Sequence, residues 1–177
     1  MVNPAFFNDL LSTIGDRKTI KDSFQDAISV IHNLDTLFTA QWYGYEPNRV
    51  MEQGFRYPSL KSVQSDDQLE QWIYAWGEPN TGRSIFNNEL VDDDGVTLVY
   101  LRELSTITCG AALFEKDNVM GITNLFGSKE EQQRLVRTIQ ISYPDKTLVG
   151  YGDEAELTLL KPFGFRELGK LSVLTSN

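Results

Sequence analysis

Three apolar runs with almost no chain between them constrain this sequence more than any other feature. Val96–Leu101, Ile107–Phe114 and Val119–Phe126 have the β-branched and aromatic character of strands, and only short stretches around Glu103–Thr106 and Glu115–Asn118 separate them. Connections this short leave no room for a parallel crossover, so the runs form an antiparallel meander. The third run, Asn118-Val-Met-Gly-Ile-Thr-Asn-Leu-Phe126, passes straight into Gly127-Ser128 and a segment of helical periodicity. A strand that enters a helix through such a corner leaves first-turn N–H groups pointing outward, where they can hold an anion.

Helix signals flank the meander. Ser65 is an N-cap with Gln68 completing a capping box. Leu69, Trp72, Ile73 and Trp76 then make a buried stripe, which Gly77 ends. After the meander, Ser128 and Glu131 form a second capping box. Leu135, Val136, Ile139 and Tyr143 build the apolar face there, and Pro144 stops it. Lys146–Tyr151 reads as a strand, Asp153 caps a short helix holding Ala155, Leu157, Leu159 and Leu160, and Leu168–Thr175 is the last strand. Upstream, Ile20, Phe24, Ala27, Ile28 and Ile31 fall at three- and four-residue steps, so residues 5–40 read as helical. Residues 41–62 read as short strands and turns, where Trp42, Tyr43, Tyr45, Phe55 and Tyr57 either line a substrate pocket or form a satellite core. The expected class is α+β: one domain over residues 1–177, a mixed and mostly antiparallel sheet flanked by helices, with 1–58 a helical and aromatic extension packed on it.

Composition narrows the function. The 177 residues are 41% hydrophobic and 23% charged, ordinary for a soluble globular protein. A net charge of −9 argues against nucleic acid and against an anionic membrane surface, and no apolar stretch approaches the about 18 residues of a membrane helix. With Cys109 as the only cysteine, no intramolecular disulfide can form, which points to a reducing, cytoplasmic setting. Cys109 lies in an apolar strand and reads as a small core residue. One histidine, His32, disfavours metal sites and His-dependent nucleophilic catalysis. Asp92-Asp93-Asp94-Gly95 lacks the spacing and distal glutamate of a calcium loop and reads as a solvated turn, so no metal is expected.

From about residue 59 to 175 the order of elements resembles the GNAT superfamily of acyl-CoA-dependent N-acetyltransferases. Cys109-Gly-Ala-Ala-Leu-Phe114 looks like that fold's third strand and Gly121-Ile-Thr-Asn-Leu-Phe126 its fourth. Leu159-Leu-Lys-Pro-Phe-Gly-Phe165 resembles the common Leu-Tyr-Glu-Lys-Leu-Gly-Phe ending, and Leu168-Gly-Lys-Leu-Ser-Val173 the strand after it. In that family the fourth and fifth strands splay, and the pantetheine of acyl-CoA pairs with strand backbone in the gap. The resemblance therefore implies acetyl-CoA as co-substrate, with Ile122, Thr123 and Asn124 along the pantetheine. Phe126, Gly127, Ser128 and Lys129 would form the pyrophosphate corner.

The chain departs from the family pattern at two places. Of the glycine-rich phosphate loop only Gly127 remains, and Glu130 and Glu131 would oppose an anion there. The tyrosine that protonates the departing thiolate aligns with Leu160, which has no proton to give. Tyr151, near in sequence, is the candidate to replace that acid, and Glu103 at the end of the first strand or a bridging water the candidate base; no motif singles any of them out. Two functions follow: acetyl transfer to an amine, small molecule or protein, for which an acidic surface suits a cation; or a catalytically inactive GNAT-like module that binds or inhibits a basic protein. A homodimer is among the assemblies the resemblance implies. Gly127→Val is expected to weaken CoA binding and leave the fold largely intact.

Overall fold

The computed structural model describes residues 19–23, 34–47, 58–77, 79–87, 90 and 95–176. In chain order these form β1 (Thr19–Asp22), β2 (Leu34–Tyr45), β3 (Lys61–Ser62), α1 (Asp66–Trp76), α2 (Pro79–Ile85), β4 (Val96–Glu103), β5 (Thr106–Lys116), β6 (Val119–Phe126), α3 (Lys129–Ser142), β7 (Thr147–Gly152), α4 (Glu154–Leu160), a 3-10 turn (Lys161–Phe163) and β8 (Arg166–Ser176). They build one eight-stranded sheet in the order β1-β8-β2-β7-β6-β5-β4-β3. β4, β5 and β6 are the expected meander. Among the described pairs only β6 and β7 run parallel. The α3 crossover makes that pairing possible, because it carries the chain back to the starting end of the sheet.

The helical reading of residues 5–40 fails where the structure describes it. Ile20 lies in β1, and residues 34–40 open the twelve-residue strand β2. Phe24, Ala27, Ile28, Ile31, His32, Phe55, Tyr57 and Asp92–Asp94 lie outside the described residues. β2 is a strand because it has neighbours on both edges: β8 along most of its length and β7 from Gln41 to Tyr45. Long-range pairing outweighs the local pattern there. Successive β2 residues alternate between faces, so Trp42 joins Ala40, Leu171 and Tyr151 on one side. Tyr43 and Tyr45 turn to the other side, toward Leu157, Leu160 and Phe165.

The two faces of the sheet carry separate cores. Leu135, Val136 and Ile139 of α3 and Leu157 and Leu160 of α4 pack on Met120, Ile122 and Leu148. On the opposite face Leu69, Trp72 and Ile73 of α1 cover Leu98, Tyr100, Ala112 and Phe126. The caps are as expected in part. Ser65 Oγ accepts from Gln68 N–H at 3.4 Å, while the Gln68 side chain reaches back one residue further, to Gln64 N–H, at 2.7 Å. Gly77 ends α1 at φ 101°, a conformation glycine tolerates at little cost.

Trp72 anchors the α1 face. It is fully buried, donates from Nε1 to the Val99 carbonyl at 3.0 Å and meets Phe86 and Phe126 edge-on at 4.8 and 5.1 Å. Trp72→Ala is expected to cost about 3–5 kcal/mol, read as a lowered urea midpoint, because it opens a cavity and strands a strand carbonyl.

Candidate functional site: a fork between two parallel strands

The β6–β7 ladder stops in mid-strand. Its pairs run from Val119↔Thr147 to Ile122↔Gly150 and end there, yet β6 continues to Phe126 and β7 to Gly152. Beyond the last pair each strand keeps its other neighbour: Thr123 and Phe126 face β5, and Tyr151 and Gly152 face β2. The two inner edges are therefore strand edges without a ladder, with backbone donors and acceptors directed into the gap. The cause lies in β6. Between Thr123↔Ala112 and Phe126↔Gly110 the register slips by one residue, and Asn124 takes φ 54°. Such a bulge bends its strand and redirects its peptide groups.

β6 then turns into α3 through the Gly-Ser corner. Gly127 has φ 118°, and a Cβ there would lie 2.6 Å from Cys109 Cβ and 2.8 Å from the Thr108 carbonyl oxygen. Only glycine fits, so the expectation that Gly127→Val spares the fold is overturned. Ser128 Oγ accepts from Glu131 N–H at 3.3 Å, and the N–H groups of the residues between them begin a helix with no turn before it. Glu131 does not close the capping box. Its carboxylate instead accepts from Thr108 Oγ1 and Arg134 Nη1, both at 2.8 Å. Burial disfavours its charged form, but Thr108, Arg134 and Cys109 outweigh burial and hold its pKa below the ordinary glutamate value. Its charge is thus partnered inside the protein. Glu130 and Lys129 remain exposed at the corner.

The residues expected to form the site are contiguous along one arm of the fork, though not equivalent. Ile122 is buried under α3 and offers only backbone, Thr123 and Asn124 are half-buried, and Phe126 packs away from α3 against Trp72. The two acid–base candidates are far apart. Tyr151 lies at the end of β7 on the face opposite Tyr43, where its hydroxyl accepts from Lys21 Nζ at 2.8 Å and its ring meets Trp42. Glu103 ends β4, three strand intervals or about 14 Å from β7. Its carboxylate accepts from Arg134 Nη1 at 2.9 Å. Leu160 is buried in the core.

Sequence reading missed another pair. Tyr43 of β2 donates its hydroxyl to Glu156 Oε1 of α4 at 2.5 Å, beside the point where the ladder ends. Burial and the neighbouring Glu156 charge push the Tyr43 phenol well above its ordinary value. Burial also raises Glu156, outweighing the Tyr43 hydrogen bond. The available signal was Gly150-Tyr151-Gly152, two glycines at alternate strand positions, which marks a close approach from another element. Among the described residues no group of histidine, cysteine and carboxylate side chains is placed to hold a metal ion, and no helix is long and apolar enough to cross a membrane.

Two outcomes check the corner. Gly127→Val is expected to lose at least about 1–3 kcal/mol of stability in urea titration, from backbone strain before any clash is counted. Cys109 is fully buried, and its thiol is pushed up to about 12 by burial and then by the Glu131 charge. It is therefore expected to resist a thiol reagent at pH 8 in the folded protein and to react on unfolding.

No protein-family model matches the sequence, and no curated protein matches it. Solved structures do. A GCN5-related N-acetyltransferase from Kribbella flavida superposes with a TM-score of 0.68 at 14% identity, over 98% of this chain and 76% of that one. One from Sphaerobacter thermophilus gives 0.56 at 11% identity, over 97% and 64%. The N-myristoyltransferase of Saccharomyces cerevisiae, with bound myristoyl-CoA and inhibitors, gives 0.59 at 9% identity, over 90% and 52%. The meander, the splayed parallel pair and the Gly-Ser corner are therefore parts of a divergent GNAT-like fold.

Proposed function

We propose that this protein is an acyl-CoA-dependent N-acyltransferase that moves an acetyl group from acetyl-CoA to a cationic amine. One observation carries the reading: the β6–β7 ladder ends at Ile122↔Gly150, and the freed arm of β6 runs directly into a helix N-terminus. Unladdered strand edges suit the amides of a pantetheine chain. The first turn of α3 suits a pyrophosphate, with Lys129 adding positive charge. The partnering of Glu131 by Arg134 and Thr108 supports this use of the corner, since the arginine offsets one opposing charge. Acyl-CoA supplies the activated acyl group, and Ile122–Asn124 and the corner hold and orient it. The GNAT-like neighbours support an acyl-CoA substrate, and one of them binds myristoyl-CoA. A net charge of −9 favours a cationic acceptor over an anionic one.

Isothermal titration calorimetry with CoA and acetyl-CoA tests the reading. Saturable binding in the micromolar range or tighter is expected. Lys129→Ala is expected to weaken CoA about two- to fivefold, the scale of one exposed charge pair, and the difference should shrink as salt is raised. No binding at high protein concentration would overturn the proposal in favour of a non-catalytic binding module.

A further inference from the structure

A second opening lies away from the fork, between α1 and the β4–β5 turn. Gln71, Tyr74 and Ala75 of α1 form one wall of this groove, and Arg102, Thr106 and Ile107 form the other. Its volume is about 870 Å³, and it shares no lining residue with the arm from Ile122 to Lys129 or with Tyr43 and Glu156. The charges around it are sorted unevenly. Glu70, also on the α1 wall, accepts from Arg83 at 2.6 Å, and Glu103, next to Arg102 in β4, accepts from Arg134 at 2.9 Å. Among the described residues no carboxylate pairs with Arg102. Its Nη2 donates to the neutral Gln71 Oε1 at 2.8 Å, and its guanidinium lies 5.5 Å from the centre of the Tyr100 ring. These contacts hold the guanidinium in place, leave its charge without a counter-charge, and keep further N–H donors free to bind. In a chain of net charge −9, such a leftover cation marks where an anion can be held.

We infer that this groove binds a small monocarboxylic acid with an aromatic body, its carboxylate held by Arg102 and its ring by Tyr74. The planar guanidinium fork matches a carboxylate and forms charge-assisted hydrogen bonds to it. Ser105 and Thr106 add hydroxyl donors at the turn. Tyr74 is 77% exposed, so its ring is open to a ligand, and Ala75 and the buried Ile107 supply apolar surface beside it. Ring against ring is worth more than the area alone. A single negative charge suits the site better than a phosphate dianion, because Arg102 is the one cation on the walls while Glu70 lines the groove and Glu103 adjoins it. The inference is independent of the acyl-transfer reading.

Phenylacetate is the probe, titrated into the full chain by calorimetry and followed by NMR at the Arg102 Nε–H and Tyr74 ring signals. Saturable binding with a Kd of about 0.1–1 mM is expected, the scale for a ligand this small, and it should weaken as salt is raised. Phenylacetamide has the same shape without the charge and should bind at least about tenfold more weakly. Phenyl phosphate should bind no tighter than phenylacetate. Arg102→Gln should weaken phenylacetate about tenfold and Tyr74→Ala about three- to tenfold. Both residues are exposed, so the urea midpoint should stay unchanged in each variant. Saturating CoA and Lys129→Ala should both leave phenylacetate affinity as it is. Absence of saturation, equal binding of phenylacetamide, tighter binding of phenyl phosphate, an unaffected Arg102→Gln protein or displacement of phenylacetate by CoA would each overturn the inference. The acyl-CoA reading is decided separately, by the CoA titration alone.

Discussion

The structure depends on a ladder that begins and then stops. Parallel pairing from Val119 to Ile122 ties the meander to the β7, β2 and β8 half of the sheet. Had it continued to Phe126, one sheet would have closed over its whole length. The bulge at Asn124 prevents this by adding one residue to β6 opposite β5, which bends the strand as its companion continues along β2. The cost is a left-handed backbone at a non-glycine residue and inner edges without strand partners. Two packed cores hold this arrangement, because α1 on one face and α3 with α4 on the other fix β6 regardless of its missing neighbour.

The corner after the bulge shows how few residues are free to change. Gly127 is fixed by Cys109 and Thr108 behind it, and Thr108 in turn donates to Glu131, three residues after the Ser128 cap. Position 127 therefore serves the packing of β5 against α3 as well as any ligand. A substitution there cannot separate binding from folding. Lys129, exposed on the first turn, can.

Legibility in the sequence followed the range of the interactions. The meander, the N-cap serines Ser65 and Ser128 and the Gly77 stop were readable because each is set by residues within a few positions of one another. β2 was not. Its neighbours β7 and β8 lie more than a hundred residues away, and the nearby periodic stripe favoured a helix. The site divided in the same way. The run from Ile122 to Lys129 is local, so its strand, corner and helix start could be read in advance. Tyr43 and Glu156, 113 positions apart, meet only because β2 inserts beside β7. Tyr151 was nominated for its proximity in sequence, yet strand alternation turns it to the other face, onto Trp42 and Lys21.

That same insertion bears on Leu160, where the resemblance would set a tyrosine. Leu160 is a core residue, packed with Leu157 beneath α3. A hydroxyl at that place would be buried without need, since the nearby polar position is already filled from β2 by Tyr43. Tyr43 itself is poorly suited to release a proton, because burial and the Glu156 charge both favour the neutral phenol. Its hydrogen bond instead steadies the carboxylate of Glu156 and limits how far burial raises it. Gly150 and Gly152 leave the room on that face of β7 that Tyr43 and Glu156 fill.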